Sequence, residues 1–135
     1  MSTKYNCFPI SEGKSEAEIL ISDEPINFYI VKPETGEIIE KGHPLEGVSL
    51  HNKIIVFPSD KGSSVVQMDG LYQMSKFGNM PKGLIIKYPS TVLVSAAIVM
   101  EIPLVSDVDE DFYKDIRDGD ILEIDTDSST ITLKK

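Results

Sequence analysis

The stretch KIIVFPSDKGSSVV, residues 53–66, joins a run of large apolar residues to a polar turn and two serines. The apolar run at residues 54–57 predicts a buried β-strand. Pro58 and Gly62 predict a turn directly after it, and the residues beyond Ser63 and Ser64 have helical spacing. We therefore expect a strand–turn–helix unit here, with the rest of the chain acting as a scaffold for the turn.

The turn has the composition of a ligand site. The first N–H groups of a helix have no partners within the helix and favour anions. Gly62 allows a ligand to approach the backbone closely. The Ser63 hydroxyl can cap the helix by accepting a backbone N–H, or it can exchange a proton while the helix end and Lys61 stabilise its anion. Lys61 is either a contact for a carboxylate or phosphate or an exposed turn residue, and the residues alone leave these roles open.

Two helices are expected among three short buried strands. Apolar residues recur at spacings of three and four over residues 65–77, which predicts an amphipathic helix. Gly70 costs about 1 kcal/mol relative to alanine inside a helix, so we expect packing support or a close neighbour at that position. The further expected elements are a strand at 83–87, a helix at 91–100 capped by Ser90, and a strand at 102–105.

This order of elements predicts parallel strands connected by crossover helices. Because parallel sheets bind ligands at the carboxyl ends of their strands, this order gives the functional interpretation of Ser63 equal weight with the capping one. The other expected elements are an irregular segment at 1–16 with a frayed or partly paired start, extended segments at 17–22, 26–31 and 37–40, a turn at 32–36, a loop at 41–47, an acidic helix at 109–116, and a hairpin at 121–124 and 130–133. No internal repeat or linker divides the sequence, so we expect one α/β domain over residues 1–135.

The composition excludes several kinds of site within this chain. Its 135 residues are 41% hydrophobic, with one cysteine and two histidines. Cys7 alone cannot form an intrachain disulfide or hold an iron–sulfur cluster, and two histidines are too few for a metal site. We therefore expect a partner to supply most ligands of any metal. His43, in a loop before a proline, is expected to be structural rather than part of a cleft.

The net charge of −9 disfavours nucleic acid as a partner. Residues 107–127, here called the acidic segment, hold ten acidic and two basic side chains and so carry −8 of that charge. We interpret the segment as a solvated face, with a docking surface for a basic partner as the alternative. No stretch has the pattern of a signal peptide or a membrane-spanning helix, so we expect a cytoplasmic protein without membrane contact.

Six motifs, in order along the chain, resemble those of the aconitase X swivel-domain family. They are ISDEPINF at 21–28, PETGEII at 33–39, HPLEG at 43–47, PSDKGSS at 58–64, PKGLII at 81–86 and AIVMEIPLV at 97–105. The resemblance implies a swivelling β/β/α domain of the aconitase C-terminal type, with a mixed sheet or barrel and crossover helices.

The resemblance also implies an activity. A free-standing chain of this length is similar to the small subunits of archaeal members of the family, in which the small chain closes over a large subunit carrying a [4Fe-4S] cluster. The implied reaction is the dehydration of (R)-5-phosphomevalonate to trans-anhydromevalonate 5-phosphate, in a mevalonate route to isoprenoids. By this resemblance Ser63 is the proton acceptor, and the cluster is held by the large subunit and not by this chain. Lys61, Gly62 and Ser64 are the expected substrate contacts.

Two departures from the family pattern lie near the expected site. Val66-Gln67 follows the serines where the family usually has Gly-Ser, and Tyr29-Ile30 stands where the family often has Gly-Gly. Both departures add bulk. They leave open a related substrate or a paralogue that has lost activity. The alternative functions are a hydro-lyase of the same family for another hydroxy acid, such as cis-3-hydroxyproline, and a non-catalytic module that binds an anion at the Gly62 turn.

Overall fold

The structure is a computed structural model that describes residues 2–135, with the backbone alone described at residues 64–66. Its strands are β1 (Ser2–Asn6), β2 (Phe8–Ser11), β3 (Lys14–Ile21), β4 (Val31–Lys32), β5 (Glu37–Ile38), β6 (Ile54–Phe57), β7 (Gly83–Ile86), β8 (Leu104–Ser106), β9 (Ile121–Asp125) and β10 (Thr130–Lys134). Its helices are α1 (Ser64–Lys76), α2 (Thr91–Val99) and α3 (Glu110–Asp115).

Most strands belong to one mixed sheet with the order β1-β10-β9-β3-β6-β7-β8-β2. Strands β6, β7 and β8 pair in parallel, as predicted from the crossover helices. Strand β3 also pairs in parallel with β6, which the sequence did not predict. The other neighbours pair antiparallel. Only Cys7 separates β1 from β2 along the chain, although these strands occupy the two edges of the sheet. The two edges must therefore lie close together, and the sheet is curled towards a barrel.

The central strands bury side chains on both faces of this sheet. Ile54 and Val56 of β6 belong to one hydrophobic cluster, whereas Ile55 and Phe57 belong to the other. The first cluster, the barrel core, also receives side chains from β1, β3, β9 and β10 and the ring of Phe112 from α3. The second, the helix-side core, contains the apolar faces of α1 and α2. Burial on both faces explains why β6 is a continuous apolar run rather than an alternating one.

Several local predictions are confirmed. The expected helices at 65–77, 91–100 and 109–116 correspond to α1, α2 and α3, and the expected C-terminal hairpin is β9 and β10. Ser90 caps α2, because its hydroxyl accepts the Leu93 N–H at 3.2 Å. Gly70 has the close neighbour that its position in a helix predicts. A Cβ atom there would lie 2.2 Å from the carbonyl oxygen of Phe28.

Two expectations about the first 31 residues need correction. The segment at 1–16, expected to be irregular with a frayed or partly paired start, is paired over most of its described part, because β1 pairs with β10 and β2 pairs with β8. These partners are distant in the sequence, so their hydrogen bonds leave no local pattern. The expected extended segment at 26–31 contains a turn at residues 28–30. The Asn27 side chain accepts the Tyr29 N–H at 3.0 Å, and such an Asx turn outweighs the strand propensity of its aromatic and branched neighbours.

Candidate functional site

The turn after β6 lies at the carboxyl edge of the parallel strands and is fixed by backbone hydrogen bonds on two sides. The Ser59 carbonyl accepts the Ile26 N–H at 3.0 Å, and the Ile26 carbonyl accepts the Lys61 N–H at 3.1 Å. On the other side, the Pro58 carbonyl accepts the Tyr88 N–H at 2.9 Å, just beyond the end of β7. The turn is therefore held between the segment that follows β3 and the end of β7.

Gly62 occupies a backbone position that strongly favours glycine. Its φ angle is +103°, in the region that side-chain-bearing residues rarely adopt. A Cβ atom at this position would also lie 2.9 Å from Nδ2 of Asn27. Asn27 is thus a neighbour of the turn that the sequence did not indicate. Its own Oδ1 is used in the Asx turn, while its amide nitrogen faces the space beside Gly62.

Ser63 is the N-cap residue of α1 and is exposed to solvent. Its backbone is extended, and its carbonyl accepts the Gln67 N–H at 3.2 Å. Within the described part of the chain, the Ser63 side chain makes no capping hydrogen bond. Of the two roles that the sequence left open, side-chain capping is therefore not observed, and the hydroxyl is not committed to the helix. The side chain of Ser64 lies outside the described residues.

Lys61 contacts an acidic residue that the sequence did not single out. Its Nζ donates to Oε2 of Glu40 at 2.6 Å, across 21 positions in the chain. The side chain of Glu40 is 23% exposed and that of Lys61 is 40% exposed. This partly buried ion pair balances the charge of Lys61. A substrate anion would have to share the ammonium group with Glu40 or replace it.

A partly buried polar cluster lies directly behind the turn. Oδ2 of Asp60 accepts hydrogen bonds from Nε2 of Gln67 at 2.8 Å and from Oγ of Ser90 at 2.9 Å. Gln67, one of the two departures noted in the sequence, is fully buried in the first turns of α1. Its amide therefore takes part in the local structure instead of merely adding bulk. Sequence reasoning missed this cluster, apart from Ser90, which it identified as a helix cap.

The structure also shows the surroundings of His43 and Tyr29. His43 is buried. Its Nδ1 accepts the Leu45 N–H at 3.0 Å and its Nε2 lies 3.0 Å from the Pro25 carbonyl oxygen. One neutral tautomer, with the hydrogen on Nε2, satisfies both contacts, so His43 is structural, as expected. Tyr29, from the second departure, is exposed and lies beside Gly70 of α1.

An open cavity of about 370 Å³ lies next to the turn, on the side of the barrel core. Pro58 belongs to both the turn and the cavity wall, which also includes Ser22, Lys87 and Tyr113. The Nζ atom of Lys87 lies 4.3 Å from the centre of the Tyr113 ring, a cation–π contact. Burial, and then the nearby carboxylates of Glu110 and Asp107, raise the pKa of Tyr113 to about 12. The phenol therefore stays protonated at neutral pH.

The described residues of this chain do not fit an iron–sulfur cluster or another metal centre. Residues 2–135 contain no group of three or more histidine, cysteine, aspartate or glutamate side chains that could hold a metal ion. Burial, and then the charge of Asp109, raise the pKa of the Cys7 thiol to about 11, whereas cluster ligands are thiolates. In the same described residues, no helix is both long enough and apolar enough to cross a membrane.

Comparison with known proteins places the chain among enzyme subunits of similar length. It is 39% identical to the phosphomevalonate dehydratase small subunit of Methanosarcina acetivorans, over 93% of this chain and 88% of that protein. It is 34% identical to the protein of the same name from Methanothermobacter thermautotrophicus, over 95% and 98% of the two chains. The crystal structure of Thermococcus kodakaraensis aconitase X in its holo-form superposes with a TM-score of 0.88, at 31% identity, covering 98% of this chain and 99% of that chain.

The family model of the aconitase X swivel domain matches residues 4–133. The match includes the turn with Gly62 and Ser63 and all three helices. Together with relatives that are more than 30% identical over nine-tenths of the chain, it shows that this protein belongs to the aconitase X swivel-domain family.

Proposed function

We propose that this chain is the small subunit of a hydro-lyase that dehydrates (R)-5-phosphomevalonate to trans-anhydromevalonate 5-phosphate, with Ser63 as the proton acceptor. The names of the relatives and their matching lengths support the subunit role. The observation that carries the assignment of Ser63 is its uncommitted, exposed hydroxyl at the start of α1. A hydroxyl that makes no capping hydrogen bond among the described residues, on a turn at the carboxyl edge of parallel strands, is suited to act on a substrate.

The chemistry requires a base close to a weakly acidic C–H group beside a carboxylate. In the proposed step, the proton passes to Oγ of Ser63, the C–H electron pair becomes the new carbon–carbon double bond, and the hydroxyl leaves from the next carbon. A serine is a weak base at its ordinary pKa and needs a stabilised alkoxide. The N–H groups at the start of α1 provide partial positive charge. Lys61 provides a cation once it is released from Glu40.

Substrate binding is proposed for Lys61, Gly62 and Ser64. Gly62 is exposed, so a ligand can reach its backbone, although Asn27 fills the space where a Cβ atom would lie. The phosphorylated hydroxy acid carries two anionic groups, and the Lys61–Glu40 pair offers a cation whose partner can be exchanged. A carboxylate or phosphate that binds Lys61 would leave Glu40 free to accept another hydrogen bond.

The remaining parts of the active site belong to the proposed partner. The large subunit would hold a [4Fe-4S] cluster, which would supply the Lewis acid for the departing hydroxyl. This chain has one cysteine and cannot supply the ligands. The small chain would contribute the base, and closure of the two subunits would exclude water from the reacting carbon. An isolated small subunit is therefore expected to be inactive.

The test uses the small subunit assembled anaerobically with the large subunit encoded in the same organism. Ser63→Ala is expected to lower kcat for 5-phosphomevalonate by about 10²- to 10⁴-fold, the range for a lost acid–base group. Its binding to the large subunit, followed by gel filtration, should be unchanged. Ser75→Ala, at an exposed position on the same helix, is the matched control and should keep wild-type activity.

Three outcomes would alter the proposal. Turnover by Ser63→Ala within about twofold of wild type would remove Ser63 from the mechanism, since an essential base contributes at least about 10²-fold. A wild-type complex that ignores 5-phosphomevalonate but dehydrates another hydroxy acid, such as cis-3-hydroxyproline, would keep the hydro-lyase class and replace the substrate. A chain that binds no large subunit would support a free-standing anion-binding module instead.

A further inference from the structure

We propose that Asp60 is a positioning residue that holds the Ser63 turn in place by joining it to the first turn of α1 and to the N-cap of α2. The effect of Asp60 on turnover rests on the proposed function, whereas its effect on the turn does not. No motif in the sequence singled out this aspartate. The proposal follows from the contacts of its backbone and of its carboxylate.

The backbone around Asp60 is anchored on the side of β3. Asp60 forms an isolated parallel bridge with Ile26. The two hydrogen bonds of this bridge, from Ile26 N–H to Ser59 and from Lys61 N–H to Ile26, enclose Asp60 on both sides. The position of the Asp60 side chain is thus fixed relative to the central sheet. Movement at Asp60 would pass directly to Lys61, Gly62 and Ser63, the residues that follow it.

The carboxylate of Asp60 connects both crossover helices. Its Oδ2 atom accepts from Gln67, in α1, and from Ser90, the N-cap residue of α2. The same Gln67 nitrogen lies 3.5 Å from the Gly62 carbonyl oxygen, so it also contacts the turn. A negative charge near the starts of two helices is favoured by both helix dipoles. Asp60 therefore has a stabilised place at the point where the turn and the two helices meet.

Two acceptor atoms of the cluster have no hydrogen-bond partner among the described residues. They are Oδ1 of Asp60 and Oε1 of Gln67, and both atoms are buried. Buried polar atoms are nearly always paired in folded proteins. Both unpaired atoms are acceptors, so neither can satisfy the other while Asp60 is ionised. An asparagine at position 60 would keep one acceptor for Gln67 and Ser90 and would add the donor that the cluster lacks.

Two substitutions at position 60 distinguish a positioning role of Asp60 from direct participation of its charge in the reaction. If Asp60 acts by holding the turn, Asp60→Asn keeps the required acceptor and should retain kcat within about threefold of wild type. Asp60→Ala removes both hydrogen bonds to a charged group, and kcat should fall by about 10- to 100-fold. KM should change by less than about threefold, because the substrate contacts themselves remain. Asp69→Ala, at an exposed position on α1, is the matched control.

A second measurement follows the turn without using activity. Amide hydrogen exchange of Lys61, whose N–H is bonded to Ile26, should accelerate at least about tenfold in Asp60→Ala. It should return to the wild-type rate in Asp60→Asn and stay unchanged in Asp69→Ala. This readout applies to the full chain, alone or in its complex, and remains decisive if the wild-type complex has no activity towards 5-phosphomevalonate.

Two results would overturn the proposal. Asp60→Ala with exchange at Lys61 and kcat both equal to wild type would show that the turn does not depend on Asp60. Asp60→Asn with kcat as low as that of Asp60→Ala, but with wild-type exchange at Lys61, would show that the charge itself takes part in the reaction. The expected result is that Asp60→Asn keeps kcat and the exchange rate of Lys61 close to wild type, whereas Asp60→Ala changes both.

Discussion

At the scale of single residues, Tyr5 provides the clearest link between a contact and pH. Its hydroxyl donates to Oδ2 of Asp115 at 2.5 Å, connecting β1 to the last residue of α3. Burial, and then this hydrogen bond to a carboxylate, raise the pKa of Tyr5 to about 12 from its ordinary value of 10.0. The folded state therefore holds the phenolic proton more tightly than the unfolded state does. The resulting stabilisation is complete below pH 10 and is lost as the pH rises towards 12.

Tyr5→Phe is therefore expected to have two effects on the free energy of unfolding. At pH 7 it should lower this free energy by about 1 kcal/mol, because one hydrogen bond is lost. Between pH 10 and pH 12 the free energy of unfolding of this variant should fall by about 1–3 kcal/mol less than that of wild type, because the variant lacks the phenol with the raised pKa. Urea denaturation at pH 7, 10 and 11.5 measures both effects. Tyr72→Phe, at an exposed position, is the control, and an unchanged alkaline slope in Tyr5→Phe would contradict the assignment.

Single residues also show what a sequence can and cannot predict about the site. The turn, its glycine and the N-cap position of Ser63 follow from the order of residues between Phe57 and Gln67. The contacts of Lys61 with Glu40 and of Asp60 with Ser90 span 21 and 30 positions. Such pairs depend on how the segments fold together, and no local pattern indicates them. The anchors of the turn were therefore missed, although its position was predicted.

At the scale of elements, a substitution at Gly70 tests whether helix propensity or packing decides the stability of α1 at this position. Helix propensity alone predicts that Gly70→Ala stabilises the protein by about 1 kcal/mol. However, the new Cβ atom would lie 2.2 Å from the Phe28 carbonyl oxygen and 2.8 Å from Cα of Tyr29, which are backbone atoms. We expect the clash to prevail, with a net loss of about 1–3 kcal/mol, as in overpacked cores. Urea denaturation of Gly70→Ala measures this loss.

Ser75→Ala provides the comparison within the same helix. Ser75 is exposed on α1, so its replacement should change the free energy of unfolding by no more than about 0.5 kcal/mol. A Gly70→Ala variant that is more stable than wild type would show that the Asx turn at Asn27 can move away from α1. The sequence indicated that Gly70 needs a close neighbour. It could not indicate that the neighbour is a turn, because residues 26–31 have the composition of a strand.

At the scale of the whole molecule, the acidic segment has more internal contacts than a purely solvated face. Several of its carboxylates accept backbone N–H groups: Asp109 from Asn6, Asp118 from Ile21, and Asp120 from Arg117. The first contact connects the N-cap of α3 to β1, the second connects the loop after α3 to β3, and the third lies within that loop. The carboxylates therefore help to close the barrel, while their exposed positions keep the chain highly charged. A docking role for the segment stays a hypothesis.

The arrangement of the two hydrophobic cores predicts that the whole molecule unfolds as one unit. Ile54 and Ile55 are adjacent in β6, both fully buried, yet Ile54 belongs to the barrel core and Ile55 to the helix-side core. Because β6, β7 and β8 contribute alternate residues to both cores, neither core can lose its packing without disturbing the other. We therefore expect Ile54→Val and Ile55→Val each to lower the free energy of unfolding by about 0.5–1.5 kcal/mol, in one shared transition.

The measurement compares two signals from each of these variants during urea denaturation. Far-UV circular dichroism follows the helices that cover the helix-side core, and near-UV circular dichroism follows Tyr5 and Tyr113, which pack with Phe112 at the barrel core. In a single cooperative domain, the two signals of each variant shift to the same midpoint, whichever core is altered. If Ile55→Val shifts the helical signal and leaves the tyrosine signal in place, the cores unfold separately. The prediction of one domain over residues 1–135 would then be wrong, even though all the central strands are shared.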